Sequence, residues 1–313
     1  MSEKPLRIAV LVGPTASGKT AVALALAARF GLPIEVIGCD ALQVYRRLEA
    51  GTAKPSAAER TTVPHHLIDV AEPTEPMTAG RYAELAIAAI AQVHARGNWP
   101  LLVGGTGLYL RTLVRGLAEI PPVPKDLRDA LAAEFATRGP NALHAELAAV
   151  DPAYAASVPA QNRQRVLRAL EVFRATGKTF SQWHQEHASQ PDRFACWTAL
   201  LDPPRDAHDA RLTARARAMA APLLQEVRLL LDEGLSPEAP AMQALGYREA
   251  VAVVRGELEP PAFTEALVRT HRQYAKRQRT WFATQQRIDR RLIQAELTEV
   301  LELAADLRLW FAS

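Results

Sequence analysis

Cysteine is scarce: Cys39 and Cys196 are the only two in 313 residues. No disulfide framework is expected, nor a four-ligand zinc module, and a reducing cytoplasm suits the composition. Long apolar runs are missing as well. No stretch approaches the roughly 20 residues that span a bilayer, so no membrane partner is expected. Met1 to Pro5 leads straight into a strand-like stretch, and no signal peptide is expected. His184 and His187 have no evident third ligand and no HExxH pattern around them, so a histidine metal site is not expected either. Net charge is only +3 and decides little by itself.

What is present is a chain able to bury a large core. Hydrophobic residues make up 49% and charged residues 23%, proportions of an ordered globular protein. The length suits one α/β core plus an insertion or second lobe. Charge is unevenly spread. From Arg269 to Arg290 there are seven Lys or Arg against one acid, Asp289, a local excess that suits a polyanion.

Leu6 to Val12 reads as a buried strand, and Thr20 to Phe30 as a helix stopped by Gly31. Pro33 to Gly38 reads as a second strand that delivers Asp40 just past its end. Ala79 to Arg96 has helical composition, and Trp99 to Val103 is a short strand running into Gly104-Gly105-Thr106-Gly107. Strands alternating with helices predict a parallel sheet covered on both faces. Ile120 to Pro124 breaks the pattern. Helical patterning then runs from about Lys125 to His187, and strand character returns over Phe194 to Asp202. The expected organisation is an α/β core in two parts, residues 1–121 and 194–313, with a mostly helical insertion at 122–193 and a helical C-terminal part.

Gly13-Pro14-Thr15-Ala16-Ser17-Gly18-Lys19-Thr20 matches the phosphate-binding pattern G-x-x-x-x-G-K-[ST] in full. Glycines let the backbone curl so that N–H groups point at an anion, and the following helix adds the positive end of its dipole. Lys19 supplies a point charge, and the Thr20 hydroxyl is a candidate ligand for Mg²⁺. The loop identifies phosphate and not a reaction. An enzyme that hydrolyses a nucleoside triphosphate normally places an acid at the end of a neighbouring strand. Trp99–Val103 ends instead in glycines and a threonine.

Further segments follow in order: Asp40-Ala41-Leu42-Gln43-Val44-Tyr45, Gly51-Thr52-Ala53-Lys54-Pro55, Val63-Pro64-His65-His66-Leu67-Ile68-Asp69 and Gly104 to Tyr109. Gln164-Arg165 with Arg168, and Ala275 to Phe282, come later. With the phosphate loop, these segments make the chain resemble the tRNA dimethylallyltransferases, also called tRNA isopentenyltransferases, from about Ile8 to Phe282. The resemblance implies a P-loop NTPase-like parallel sheet core with a helical insertion. It also implies transfer of a dimethylallyl group from dimethylallyl pyrophosphate to the N6 of an adenosine, the one 3′-adjacent to the anticodon in a tRNA anticodon stem-loop. Two departures stand out. Cys39-Asp40-Ala41 replaces the family's Ser-Asp-Ser, and Arg46 to Glu49 replaces Arg-Gly-Met-Asp.

The residues suit that chemistry. The lone pair of an adenine amino group is delocalised, and the nitrogen must shed a proton as the C–N bond forms. Asp40 is the acid expected to accept it; the competing role is to hold Mg²⁺ through water. Lys19 and Mg²⁺ are expected to stabilise the departing pyrophosphate. Thr106 is expected to donate a hydroxyl or position the nucleotide, the alternative being a helix cap. Arg211 and Arg215 are one helical turn apart on one face; under the resemblance one of them reaches pyrophosphate, and Arg211 is the expected one.

An enzyme acting on that amino group must extrude the base into a pocket. Asp40, Ala41, Leu42 and Gln43 lie where it is expected to arrive, Gln43 either reading the base edge or serving as a turn residue. Gln161, Arg165 and Arg168 are spaced as one helical stripe, and Arg269, Arg272, Lys276 and Arg279 as another; both are expected to follow RNA phosphates. The resemblance adds Arg128, Gln164, Gly246, Tyr247, Arg248, Arg277, Gln278 and Trp281 as RNA contacts. Of Trp281 and Phe282, at least one is expected in the core. His65 and His66 are expected to be structural, and a monomer is the default. The main competing function is a P-loop small-molecule or nucleotide kinase, the other a non-catalytic RNA-binding ATPase.

Overall fold

The computed structural model describes residues 5–313. The chain divides into two compact units, one formed by residues up to 114 together with 193–313, the other by 115–192. In order, the elements are β1 (Arg7–Val12), α1 (Lys19–Ala28), β2 (Ile34–Cys39), α2 (Ala57–Thr62), β3 (His65–His66), α3 (Ala79–Ala95), β4 (Trp99–Gly104) and α4 (Gly107–Arg115). The helical unit contributes α5 (Lys125–Val150), α6 (Pro152–Ala155), α7 (Arg163–Thr176) and α8 (Phe180–Ala188). The chain then returns with β5 (Ala195–Leu201), α9 (Arg205–Asp232), α10 (Tyr247–Val254), α11 (Pro260–Gln285), β6 (Arg290–Leu292) and α12 (Leu297–Ala312).

Among the described residues six strands form one parallel sheet, in the order β3-β2-β4-β1-β5-β6. Ile8 to Val12 are all buried, as a parallel strand covered on both faces requires. Alternate residues face opposite layers. Ile8, Val10, Val12 and Leu102 pack with Tyr82, Leu113 and Phe282, whereas Ala9, Leu11 and Leu101 pack with Leu26 and Leu303. A third core joins α9, α10 and α11 around Leu223, Tyr247 and Leu267. The loops after β1, β2, β4 and β5 all leave from the carboxyl edge of the sheet, where open α/β sheets bind ligands.

β3 is two residues long and pairs with β2. His66 Nε2 lies 2.7 Å from the Glu35 carboxylate, which also takes Arg96 and Asn98. The Arg96 hydrogen bond comes first in pulling that carboxyl down to about 2. Both histidines sit on this edge strand, outside the lining of the phosphate loop's cavity.

The helical unit has its own core of Leu131, Leu143, Leu147, Val166 and Leu170. It begins at Arg115, ahead of the proline-rich break, because Gly116 at φ 82° ends α4. Its two ends are held side by side: Arg193 N–H donates to Val114 C=O (2.7 Å), and Arg115 pairs with Asp192 (3.6 Å). Gly139 at φ 79° interrupts α5, and Pro140 restarts it. One expected stripe is corrected here. Asn162 caps α7 through Arg165 N–H, so Gln161 lies before the helix and does not share a face with Arg165 and Arg168.

Candidate active site

The loop between β1 and α1 wraps the start of α1. Gly18 caps the helix at φ 103°, a left-handed conformation that favours glycine. Ala16 is also left-handed at φ 61°. Two loop amides are used within the chain: Ser17 N–H bonds Pro14 C=O (3.2 Å), and Thr15 N–H bonds Gln278 Oε1 (2.8 Å). The anion site therefore falls to the amides at the start of α1, which have no partners inside the helix. Lys19 folds back on its own loop, donating to the carbonyls of Gly13 and Pro14 at 2.9 Å each. Burial lowers its ammonium to about 8; Asp40 opposes that shift and Arg215 adds to it.

The turn after β4 carries glycines because backbones meet there. A Cβ on Gly104 would lie 2.0 Å from Cys39 C=O, and one on Gly105 would lie 2.2 Å from Gln278 Nε2. This close approach brings the end of β2, and with it Asp40, to the phosphate loop. Asp40 Oδ1 accepts from Leu42 N–H (2.9 Å) and Gln43 N–H (3.3 Å), which fixes the carboxylate in a local turn. Thr106 does not use its hydroxyl to cap α4. It accepts from Ala41 N–H (3.1 Å), pinning the residue after Asp40. Cys39 Sγ reaches Thr106 C=O at 3.6 Å, and burial pushes this thiol up to about 12, so it stays neutral.

Two cavities adjoin at Asp40. One, of about 310 Å³, is lined by the phosphate loop from Thr15 to Thr20, by Gln43, and by Gly104 and Gly105. The other, of about 290 Å³, is walled largely by apolar and aromatic groups, among them Leu42, Tyr45, Met77, Tyr109, Leu245 and Tyr274. Thr15, Asp40, Thr52 and Arg215 line both. A polar chamber lined by the loop thus opens beside an apolar one, with a carboxylate and a guanidinium at the junction.

Residues 43–285 match the model of the family described as IPP transferase. The chain belongs to that family. It is similar to a tRNA dimethylallyltransferase of Anaeromyxobacter dehalogenans (strain 2CP-C), 49% identical over 277 residues that cover 88% of this chain and 91% of the relative. Among solved structures it is similar to the tRNA isopentenylpyrophosphate transferase of Bacillus halodurans, with a TM-score of 0.70 and 32% identity over 97% of this chain and 96% of that one. It is also similar to a eukaryotic dimethylallyltransferase acting on tRNA, with a TM-score of 0.78 at 26% identity, covering 97% of this chain and 77% of that one. The fold is accordingly a P-loop-like parallel sheet core, and the chain is a transferase.

In this IPP transferase, Gly13 to Thr20, Asp40, Gln43 and Thr106 gather at one end of the sheet. Arg211 does not join them. It is exposed and lines neither cavity, whereas Arg215 lines both. Burial lowers the Arg215 guanidinium, and Asp40 pulls the other way. Of the two arginines on this face of α9, Arg215 is therefore the one placed at the junction of the cavities.

Several residues expected at the RNA have their polar groups engaged within the chain. Gln278 is buried, and both ends of its amide are used, on Thr15 N–H and on Gly105 C=O (2.9 Å). Tyr247 is fully buried; its hydroxyl donates to Glu226 (2.8 Å) and accepts from Gly51 N–H (3.2 Å). Gly246 is buried at the cap of α10. Arg279 bonds Pro203 C=O (2.9 Å) and pairs with Asp202 (2.8 Å). Gln43 turns its amide nitrogen onto the carbonyls of Thr52 (3.2 Å) and Ala53 (3.1 Å). Phe282 is in the core, and Trp281 is half-buried with Arg111 over its ring.

Other cations remain outward. Arg269, Arg272, Lys276 and Arg277 are exposed on α11, and Arg248 is exposed on α10. Arg128, Gln164 and Arg165 are exposed on helices of the other unit, where Arg168 lies 3.6 Å from Glu171. Sequence reasoning missed the apolar chamber: Tyr45 and Tyr109 end two of the motif segments with nothing to show that they meet, and Met77 and Tyr274 lie outside the segments. It also missed Lys54, whose nearly buried ammonium joins Tyr45 C=O (2.8 Å) to Asp69 (2.5 Å) and so ties two of the motif segments together.

Proposed function

We propose that this chain transfers a dimethylallyl group from dimethylallyl pyrophosphate to N6 of the adenosine 3′-adjacent to the anticodon of tRNA. The observation that carries the reading is the junction of a phosphate-loop chamber and an apolar chamber at Asp40 and Arg215. The pyrophosphate lies on the loop, and the allylic carbon points past the junction to an adenine extruded from the anticodon loop. N6 forms a bond to the allylic carbon as the carbon–oxygen bond breaks. The electron pair leaves on pyrophosphate, held by Lys19, Arg215 and the α1 amides, and the N6 proton passes to Asp40. The Thr20 hydroxyl, on the loop chamber, is a hard oxygen donor. It suits Mg²⁺, which usually takes few protein ligands beside substrate phosphates. Bound there, Mg²⁺ would offset charge on the pyrophosphate.

Incubating the protein with unmodified tRNA, Mg²⁺ and dimethylallyl pyrophosphate should add one dimethylallyl mass to the RNA. ATP consumption with no gain on the RNA would favour the kinase reading and sink this one.

Two further results are expected. With its folded value near 8, Lys19 loses its charge in the free protein as pH rises through that point. Affinity for inorganic pyrophosphate should therefore fall above about pH 8, with proton uptake on binding. Calorimetry in buffers of different ionisation heat reads both, and constant affinity from about pH 7 to 9 would contradict it. The stability effect has the opposite sense. The unfolded lysine, near 10.5, holds more protons in the window between the two values, so this group makes the free fold more stable as pH rises through it.

Second, tRNA affinity should fall steeply with salt. Lys276→Ala and Arg277→Ala should each reduce the slope of log K against log [salt] by about one. A salt slope unchanged in both variants would remove the outward face of α11 from the RNA contact.

A further inference from the structure

Among the described residues of the phosphate loop, only Thr15 lines both chambers. Side chains from two helices far along the chain hold its peptide. Its N–H donates to Gln278 Oε1 of α11 (2.8 Å), and its C=O accepts from His208 Nε2 of α9 (2.8 Å). Arg279 Nη2 reaches His208 Nδ1 at 3.0 Å, and Arg279 is itself anchored on Pro203 C=O and Asp202. His208 and Gln278 are 1% and 5% exposed.

These partners fix the imidazole's protonation. A carbonyl only accepts and a guanidinium only donates. Nε2 must therefore carry the hydrogen and Nδ1 must not. A second proton would sit against Arg279. The charged groups facing the ring are Arg279 from α11, and Arg211 and Asp209 from its own helix. Burial, followed by the two arginines, holds the imidazole below its ordinary value. The neighbouring Ala16 at φ 61° is a left-handed alanine, a conformation that persists only where its surroundings over-determine it.

We propose that His208, with Gln278, is a positioning residue of the transfer reaction: as the neutral Nε2–H tautomer it holds the Thr15 peptide so that the phosphate loop keeps its anion-binding shape. The inference rests on the reading that this loop holds the donor's pyrophosphate. His208 lines neither chamber, so its effect on the donor passes through Thr15 alone. The same contacts tie the loop to α11, whose outward face carries Lys276 and Arg277.

The test compares His208→Leu with His208→Gln, whose amide nitrogen can take the place of Nε2 and donate to the Thr15 carbonyl. His208→Leu should weaken binding of inorganic pyrophosphate, and raise KM for dimethylallyl pyrophosphate, by about tenfold. Affinity for tRNA should stay within about twofold, because no RNA-facing group is touched. His208→Gln should recover most of the loss. Nitrogen-15 NMR of the unaltered protein at neutral pH should show hydrogen on Nε2 alone, with second protonation only at a pH below that of an ordinary imidazole.

Unaltered pyrophosphate affinity in His208→Leu would overturn the proposal, as would hydrogen on Nδ1. Equal loss of tRNA affinity without recovery in His208→Gln would also overturn it, by making the role merely structural. If His208→Leu does not fold, the tautomer and His208→Gln still decide. If the unaltered protein binds no pyrophosphate, the reading of the donor site fails. Hydrogen exchange of the 15–20 amides then judges the clamp: faster in His208→Leu supports it, unchanged rejects it.

Discussion

Asp40→Asn should lower kcat for prenyl transfer by about 10²–10⁴-fold, the usual contribution of a positioned general base. The substitution is well matched to the site. Asp40 Oδ1 accepts from the backbone N–H groups of Leu42 and Gln43, and an asparagine oxygen can accept both bonds, so the turn after β2 should persist. Thr106 holds the next residue independently through Ala41 N–H. What disappears is a group able to take the N6 proton. A second consequence follows from charge. Asp40 raises the values of both Lys19 and Arg215, so its loss should also shift the pH limit for pyrophosphate binding downward. Single-turnover measurement with saturating donor separates the two effects. Near-normal turnover with tRNA binding intact would remove Asp40 from proton transfer.

Arg215→Ala should cost about 10²–10³-fold in kcat/KM, the scale for one preorganised group facing a developing oxyanion. Arg215 lies at the junction of the chambers, half-buried opposite Asp40. Its cation is poorly solvated there, so an incoming pyrophosphate supplies the counter-charge that water does not. Arg211→Ala, one turn earlier on the same helix, should lose far less, because that side chain is exposed outside both chambers. Steady-state kinetics on the two variants tests the assignment directly. The reverse ranking would return the pyrophosphate contact to Arg211.

The difference between these arginines marks where sequence reading stops. Spacing places Arg211 and Arg215 on one face of a helix, since four residues make about one turn. Which of them reaches the sheet edge depends on how α9 packs over it, and that is set by apolar contacts at Leu212, Ala216 and Leu223. Gln278 and Tyr247 show the same limit. Both stand in stretches that match RNA-modifying relatives, and both are buried with their polar groups satisfied inside the chain. A motif records that a residue type is needed; it does not record whether the residue faces a ligand or holds the part that does.

The sequence by itself determined the phosphate loop and the strand before it, and it placed Asp40 just past β2. These are local: eight contiguous residues, a helix start and a strand end settle their own backbone geometry with hydrogen bonds to near neighbours. It also marked the glycines after β4, although their reason, backbone approach to Cys39 and room for Gln278, lies elsewhere in the chain. Only the tertiary structure decided that Arg215 and not Arg211 lines the two chambers, that an apolar chamber of Tyr45, Met77, Tyr109 and Tyr274 adjoins the loop chamber, and that His208 and Gln278 grip Thr15. Each of these joins residues far apart in sequence, and their meeting is governed by how the long C-terminal helices dock on the sheet.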